Sequence, residues 1–153
     1  MPLKTYKQKR KFSGKGKTSE PEGSVKKSIK KKIFVIHKHH ASHLHWDLRL
    51  EMNGVLKSWA VPKEPPKVKG VKRLAILVED HPLQYASFEG TIPEGNYGAG
   101  KVEIWDRGFY ELLEKDEKKI EIKFHGKKLK GKYVLIKTHY GNKPEKSWLF
   151  FKV

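Results

Sequence analysis

The chain contains no cysteine in 153 residues and only two methionines. Without thiols there is no disulfide framework, no thiolate nucleophile and no cysteine-held zinc, so any bound metal must rest on His, Asp or Glu. No stretch approaches the ~20 consecutive apolar residues of a membrane-spanning helix, and the lysine-rich opening lacks the apolar segment of a secretion signal. A soluble, cytoplasmic protein without a membrane partner is therefore expected. Negative charge is also scarce, with 34 Lys and Arg against 17 Asp and Glu, a formal net charge of +17. Such a balance points to a polyanionic partner, most plausibly nucleic acid.

The positive charge is unevenly placed. Residues 1–32 hold twelve Lys and Arg against Glu20 and Glu22, a net of +10, which leaves +7 for the other 121 residues. That stretch has no sustained periodicity and is interrupted by Gly14, Gly16, Pro21 and Gly23. It reads as a basic, irregular N-terminal arm, and residues 33–153 as the folded domain.

From Ile33 the texture becomes short apolar runs separated by turn signals. Ile33–Ile36 and Leu44–Met52 read as strands, and Asn53-Gly54 as a tight hairpin turn leading into Val55–Val61. Further strands are expected over Arg73–Val78, Tyr85–Phe88, Lys101–Trp105, Phe109–Leu113, Lys119–Phe124, Lys132–Thr138 and Trp148–Val153. Close punctuation by Gly, Pro and Asn, with hardly any helical pattern, favours a mainly β fold, a closed or nearly closed barrel with a groove for the site. Trp46, Trp59, Trp105 and Trp148 are expected to fill its core, and Tyr97 to be free to stack on a base.

Residues 37–54, HKHHASHLHWDLRLEMNG, carry the most chemistry. Five of the eight histidines lie between His37 and His45. In a strand Leu44, Trp46, Leu48 and Leu50 share one face, and His45, Asp47, Arg49 and Glu51 the other. His45 and Asp47 can converge on one point, with His39 supplied from a preceding loop. Two imidazoles and a carboxylate suit manganese, iron or zinc and leave coordination positions open. A lone His-x-Asp would more plainly be an ordinary polar strand face held by cross-strand pairs, or a His-rich chelating surface. The density of histidine, the Arg on the same face and the basic chain favour a site. Gly95-Asn-Tyr-Gly98-Ala-Gly100 is not a phosphate loop, since no Gly-Lys-Ser/Thr follows; its glycines suit tight turns with positive φ.

Four ordered motifs extend this picture. They are His39-x-Ala-Ser-x-Leu-His45-x-Asp47-Leu-Arg49-Leu-Glu, then Leu56-Lys-Ser-Trp-Ala-Val-Pro-Lys63, then Glu79-Asp-His81-Pro-Leu-x-Tyr85, then Phe88-Glu-Gly-x-Ile-Pro-x-Gly-x-Tyr-Gly-Ala-Gly100. With Trp105-Asp106 and the C-terminal strands, they resemble the polynucleotide 3′-phosphoesterase family, found as a module of the bacterial end-joining ligase D and as stand-alone proteins. The resemblance covers nearly all of residues 30–153. It implies a compact β-barrel and manganese-dependent trimming of DNA or RNA 3′ ends, with zinc or cobalt as other possible ions. Two activities are implied: removal of a 3′-terminal ribonucleoside, and hydrolysis of the remaining 3′-phosphate to a 3′-hydroxyl. Primer-template duplex ends are the implied substrate, a separate ligase and polymerase the implied partners, and a monomer the implied state.

Carried over residue by residue, the resemblance implies metal ligands His39, His45 and Asp47. Arg49, Lys63 and Arg73 match phosphate-contacting positions, His81 and Tyr85 the remaining catalytic pair, and Glu79 an acidic supporting position. Arg10 and Glu20 match an N-terminal segment that reaches the site, but Lys11 stands where the family has Asp. Two other readings compete: a non-catalytic basic nucleic-acid-binding β module, which leaves the His and Asp positions unexplained, and a two-His-carboxylate oxygenase, which leaves the basic positions unexplained.

Overall fold

The computed structural model describes residues 31–96, 98–139 and 141–153. Arg10, Lys11, Glu20 and Tyr97 lie outside the described residues. Nine strands follow in chain order: β1 (Lys31–His40), β2 (Leu44–Met52), β3 (Val55–Val61), β4 (Lys72–His81), β5 (Gly90–Ile92), β6 (Gly100–Lys115), β7 (Lys119–His125), β8 (Lys130–Lys137) and β9 (Ser147–Lys152). All neighbours are antiparallel in the order β1-β2-β3-β4-β9-β8-β7-β6, and β6 pairs back onto β1. The result is the expected mainly β fold, a closed eight-stranded barrel, with β5 added along the start of β6. Among the described residues no helix is long and apolar enough to cross a membrane.

The core follows from strand alternation. Trp46, Leu48, Leu50 and Met52 of β2 point inward to meet Phe34 and Ile36 of β1, Trp59 and Val61 of β3, and Phe124, Tyr133 and Phe150 from the far wall. Asn53 and Gly54 both have positive φ, as a two-residue turn matched to strand twist requires. Trp46, Trp59 and Trp148 are buried as expected, whereas Trp105 is only partly buried at the core's edge. Gly95, Gly98 and Gly100 all take positive φ, in keeping with their reading as turn residues.

Three sequence expectations need correction. Tyr85–Phe88 is not a strand: Leu83–Ser87 forms a 3-10 helix, because Pro82 opens the segment and the Tyr85 amide bonds back to the Pro82 carbonyl. Lys101–Trp105 and Phe109–Leu113 are not separate strands but one, β6. Gly108 lies within it, at a position where any Cβ would overlap the His125 carbonyl. β1 runs from Lys31 to His40, so it begins two residues inside the proposed arm and carries His39 on a strand rather than a loop.

Asp106 anchors the turn between β7 and β8. It is only 4% exposed, and its carboxylate accepts the backbone N–H groups of Arg107, Lys127, Lys128 and Leu129 at 2.8–3.1 Å. Removing such an acceptor strands several donors in a poorly solvated place. Asp106→Ala is expected to lower unfolding stability by roughly 3 kcal/mol, with Asp106→Asn intermediate, read from urea midpoints at constant m.

Candidate metal centre and its buried guanidinium

The site is built on the outer face of β1, β2 and β3. His39 pairs directly with His45 across the β1–β2 ladder, and His37 pairs with Asp47. Ordinary period-2 geometry therefore gathers His37, His39, His45, Asp47 and Arg49 on one patch. Their face is not open to water, because Tyr85, Phe88 and Gly98, from the chain after β4, close over it. His37, Asp47 and Arg49 are 0%, 6% and 3% exposed. Asp47 and Arg49 thus lie buried on the outer face while Trp46, Leu48 and Leu50 fill the inner one.

One ligand atom each from His39, His45 and Asp47 lie within 4.8 Å of one another. His45 Nε2 stands 3.2 Å from Asp47 Oδ1, and His39 Nδ1 3.7 Å from Asp47 Oδ2. The other ring nitrogens are tied to backbone carbonyls, His39 Nε2 to Gly98 at 2.9 Å and His45 Nδ1 to His43 at 3.1 Å. A carbonyl only accepts, so each of those nitrogens carries the hydrogen. In the neutral rings His39 Nδ1 and His45 Nε2 then carry the lone pairs, the arrangement that outer hydrogen bonds impose on metal-binding imidazoles; in the protonated rings the same two nitrogens donate to the Asp47 carboxylate. The donor set fits a divalent metal ion, and half-buried His45 leaves it open on one side.

Charge reinforces this group. Burial alone would push the Asp47 carboxyl up, but hydrogen bonds with His39 and His45 and the Arg49 charge hold it well below the usual carboxylate range. The hydrogen bond to Asp47 raises His45 against the opposing effect of burial.

Arg49 is the hub. Its Nε donates to His37 Nδ1 at 3.0 Å, Nη1 to Ser58 Oγ at 3.0 Å and toward His81 Nδ1 at 3.2 Å, and Nη2 to Asp47 Oδ2 at 3.2 Å. The guanidinium carbon sits 5.0 Å from the centre of the Tyr85 ring. Of five N–H donors, one on Nη2 has no partner among the described residues.

His81, the last residue of β4, and Tyr85 of the covering segment join the hub. His81 Nδ1 faces both Arg49 Nη1 and the Glu79 carbonyl, the latter at 3.1 Å, so it accepts from one or donates to the other. Burial and the neighbouring Arg49 charge lower His81. Tyr85 stacks on Phe88 at 4.9 Å, lies 5.0 Å from His81 and meets the edge of His37 at 5.2 Å; burial raises its hydroxyl. The Glu79 side chain is exposed and touches the hub through its backbone carbonyl.

Lys63 and Arg73 are not brought into this group. Lys63 is exposed in the segment after β3. Arg73 shares its face of β4 with core residues Ala75 and Leu77, and its Nε donates to the Glu64 carbonyl at 2.8 Å.

The match with known proteins bears on this geometry. The family model described as the DNA Ligase D 3′-phosphoesterase domain matches residues 37–137. The chain belongs to this family. The matched span contains every donor of the metal group and the whole Arg49 hub. A multifunctional non-homologous end joining protein LigD of Pseudomonas aeruginosa is 46% identical over 158 residues, covering 99% of this chain and 18% of the relative. The corresponding protein of Mycolicibacterium smegmatis is 43% identical over 159 residues, 96% of this chain and 20% of the relative. That of Mycobacterium bovis is 51% identical over 110 residues, 69% of this chain and 14% of the relative. The chain thus spans a fifth or less of the length of these relatives.

Two residues of this phosphoesterase-domain site escaped sequence reading. Ser58 Oγ accepts from Arg49 and donates to the Leu56 carbonyl at 3.0 Å. His37 Nε2 donates to the Phe88 carbonyl at 3.0 Å while its Nδ1 accepts from Arg49. Burial, with Arg49 beside it, pushes His37 down to about 3, so the ring is neutral and couples the covering segment to the guanidinium. The available signal was its i, i+2 spacing from His39 on one strand face.

His37→Phe would leave the Arg49 Nε–H buried without an acceptor and should cost about 2–4 kcal/mol in a urea titration. His37→Gln, able to accept at Oε1 and donate at Nε2, is expected to recover most of that loss.

Proposed function

We propose that the protein is a manganese-dependent phosphoesterase that heals the 3′ ends of DNA or RNA, removing a 3′-terminal ribonucleoside and a 3′-phosphate to leave a 3′-hydroxyl. The observation that carries this reading is the shared Asp47 carboxylate, whose one oxygen faces the metal-donor His45 and whose other faces Arg49. A dication site and a cation joined at one carboxylate suit a phosphate held between them. Membership of the DNA ligase D 3′-phosphoesterase domain family supports the substrate class.

His39, His45 and Asp47 would hold the manganese ion, whose charge serves to polarise a phosphoryl oxygen. Arg49 offers its spare Nη2–H to a second oxygen, and a charged donor already in place needs no reorganisation as negative charge builds. His81, kept neutral by burial, carries its hydrogen on Nε2 whenever Nδ1 accepts from Arg49. In that form it is suited to protonate a leaving oxygen as the P–O bond breaks and water oxygen bonds to phosphorus. Tyr85 walls the site and holds the guanidinium plane, with Glu79 supporting His81 through its carbonyl. Lys63 and Arg73 would meet phosphate oxygens of the substrate, as the family resemblance implies. Arg10 and Glu20 remain assigned to the site by family resemblance. A separate ligase and polymerase would act on the ends this protein releases.

The test is a labelled primer-template carrying a 3′-ribonucleotide or a 3′-phosphate, incubated with and without manganese. Conversion to a 3′-hydroxyl is expected with the ion and should vanish on chelation. Asp47→Ala, losing a metal donor and the Arg49 partner together, should reduce turnover by at least about 100-fold. A folded wild-type protein that converts neither end with any divalent ion would overturn the reading.

A further inference from the structure

We propose that the lysine-rich end of the barrel, separate from the metal-donor group, is a docking surface for the phosphate backbone of a nucleic-acid duplex. It rests on the 3′-end reading above and says where the duplex behind the reacting end would lie.

Two lysine-rich segments meet there. The segment between β3 and β4, residues 62–71, carries Lys67 and Lys69; the turn between β7 and β8 carries Lys127 and Lys128, with Lys130 opening β8. All five are exposed. Neither segment is a loosely attached loop. Tyr133 donates its hydroxyl hydrogen to the Pro66 carbonyl at 2.7 Å, Lys69 bridges to Lys152 of β9, and Lys152 Nζ reaches the Lys67 carbonyl at 3.4 Å. The other segment is pinned by the four amide bonds to Asp106. Both segments then place a lysine on one ring: Lys67 Nζ lies 5.9 Å and Lys128 Nζ 5.4 Å from the centre of Trp105. The partly buried indole thus holds two ammonium groups at the barrel mouth, favourable to it as cation–π contacts.

The surface adjoins the metal-donor end of the sheet. Trp46, between His45 and Asp47 on β2, pairs with Val61, the last residue before the first lysine segment. Its own ring lies under Lys38 at 5.8 Å. The strand end that aims His45 and Asp47 outward therefore aims Trp46 toward the lysine-covered mouth. A 3′ end at the metal group would have its preceding backbone within reach of this rim.

Nucleic acid is the occupant the charge specifies. Glu64 is the one acid within residues 62–71, where it meets Lys67 at 3.5 Å, and residues 126–130 contain none. The cations are lysines, point charges suited to regularly spaced phosphates rather than forks suited to base edges. Binding here should be independent of sequence and steeply dependent on salt.

The experiment uses the full chain carrying Lys67→Ala, Lys128→Ala and Lys130→Ala together, after its melting curve is matched to wild type. Fluorescence anisotropy measures affinity for a duplex of roughly 20 base pairs across a salt series, and turnover is measured in parallel on a nucleoside 3′-phosphate too small to reach the rim. About a tenfold loss of duplex affinity is expected, with a log–log salt slope shallower by about 2 to 3. Turnover of the small substrate should not change. An unchanged duplex affinity and slope would overturn the proposal, as would an equal loss on the nucleoside 3′-phosphate or wild-type binding of polyglutamate as tight as duplex. Wild-type protein that binds duplex through these lysines but converts no 3′ end would sustain the surface and sink the phosphoesterase reading.

Discussion

A guanidinium that is 3% exposed cannot be left to water, and the site is organised around satisfying Arg49. Taking such a charge out of solvent costs several kcal/mol unless acceptors surround it. Asp47, His37 and Ser58 are those acceptors, joined by His81 in the tautomer whose Nδ1 is bare, and each comes from a different strand: β2 itself contributes Asp47, β1 His37, β3 Ser58 and β4 His81. The requirement fixes more than stability. Asp47 can meet Arg49 only with Oδ2 turned toward it, which leaves Oδ1 facing His45. The metal-donor geometry is in this sense a consequence of how the guanidinium is neutralised.

Such a hub needs a sheet with two buried faces, and the barrel supplies one locally. β7 shows the usual pattern of an antiparallel wall, alternating buried and more exposed residues. Over β1 and β2 the covering segment after β4 buries the outer face as well, so Phe34 through His37 and Trp46 through Leu50 are continuously buried. The segment is fastened where it matters. The Phe88 carbonyl accepts from His37, the Gly98 carbonyl from His39, and Tyr85 lies on Arg49. Closing the cover and ordering the donor imidazoles are the same set of contacts.

This double burial explains what could be read from sequence. The barrel, the Asn53-Gly54 hairpin and the convergence of His39, His45 and Asp47 follow from period-2 patterning and local turn chemistry, both visible in one strand at a time. His37 and Ser58 were hidden because their partners are not local: each becomes a hub residue only when the ladder register brings it to Arg49. Tyr85–Phe88 has the composition of a strand, but Pro82 and the packing of Tyr85 onto Phe88 and Arg49 make it helical, a tertiary override of propensity. Gly108 is a second non-local case. A glycine inside a run reads as a break, whereas here it admits the close approach of the His125 carbonyl that lets β6 continue.

The same contrast sorts the charges. At physiological ionic strength the field of an exposed cation is screened over about 8 Å, so single lysines at the barrel mouth hold little and act only by number. Arg49 and Asp47 lie where water is nearly absent, and their interaction is screened far less. Each can therefore set the orientation of a neighbouring group rather than merely enrich a partner nearby. A net charge of +17 spread over a chain of this size would attract any polyanion. What makes the attraction specific is that one buried cation and two metal-donor imidazoles share a single carboxylate, on a face that only a small part of such a polyanion could enter.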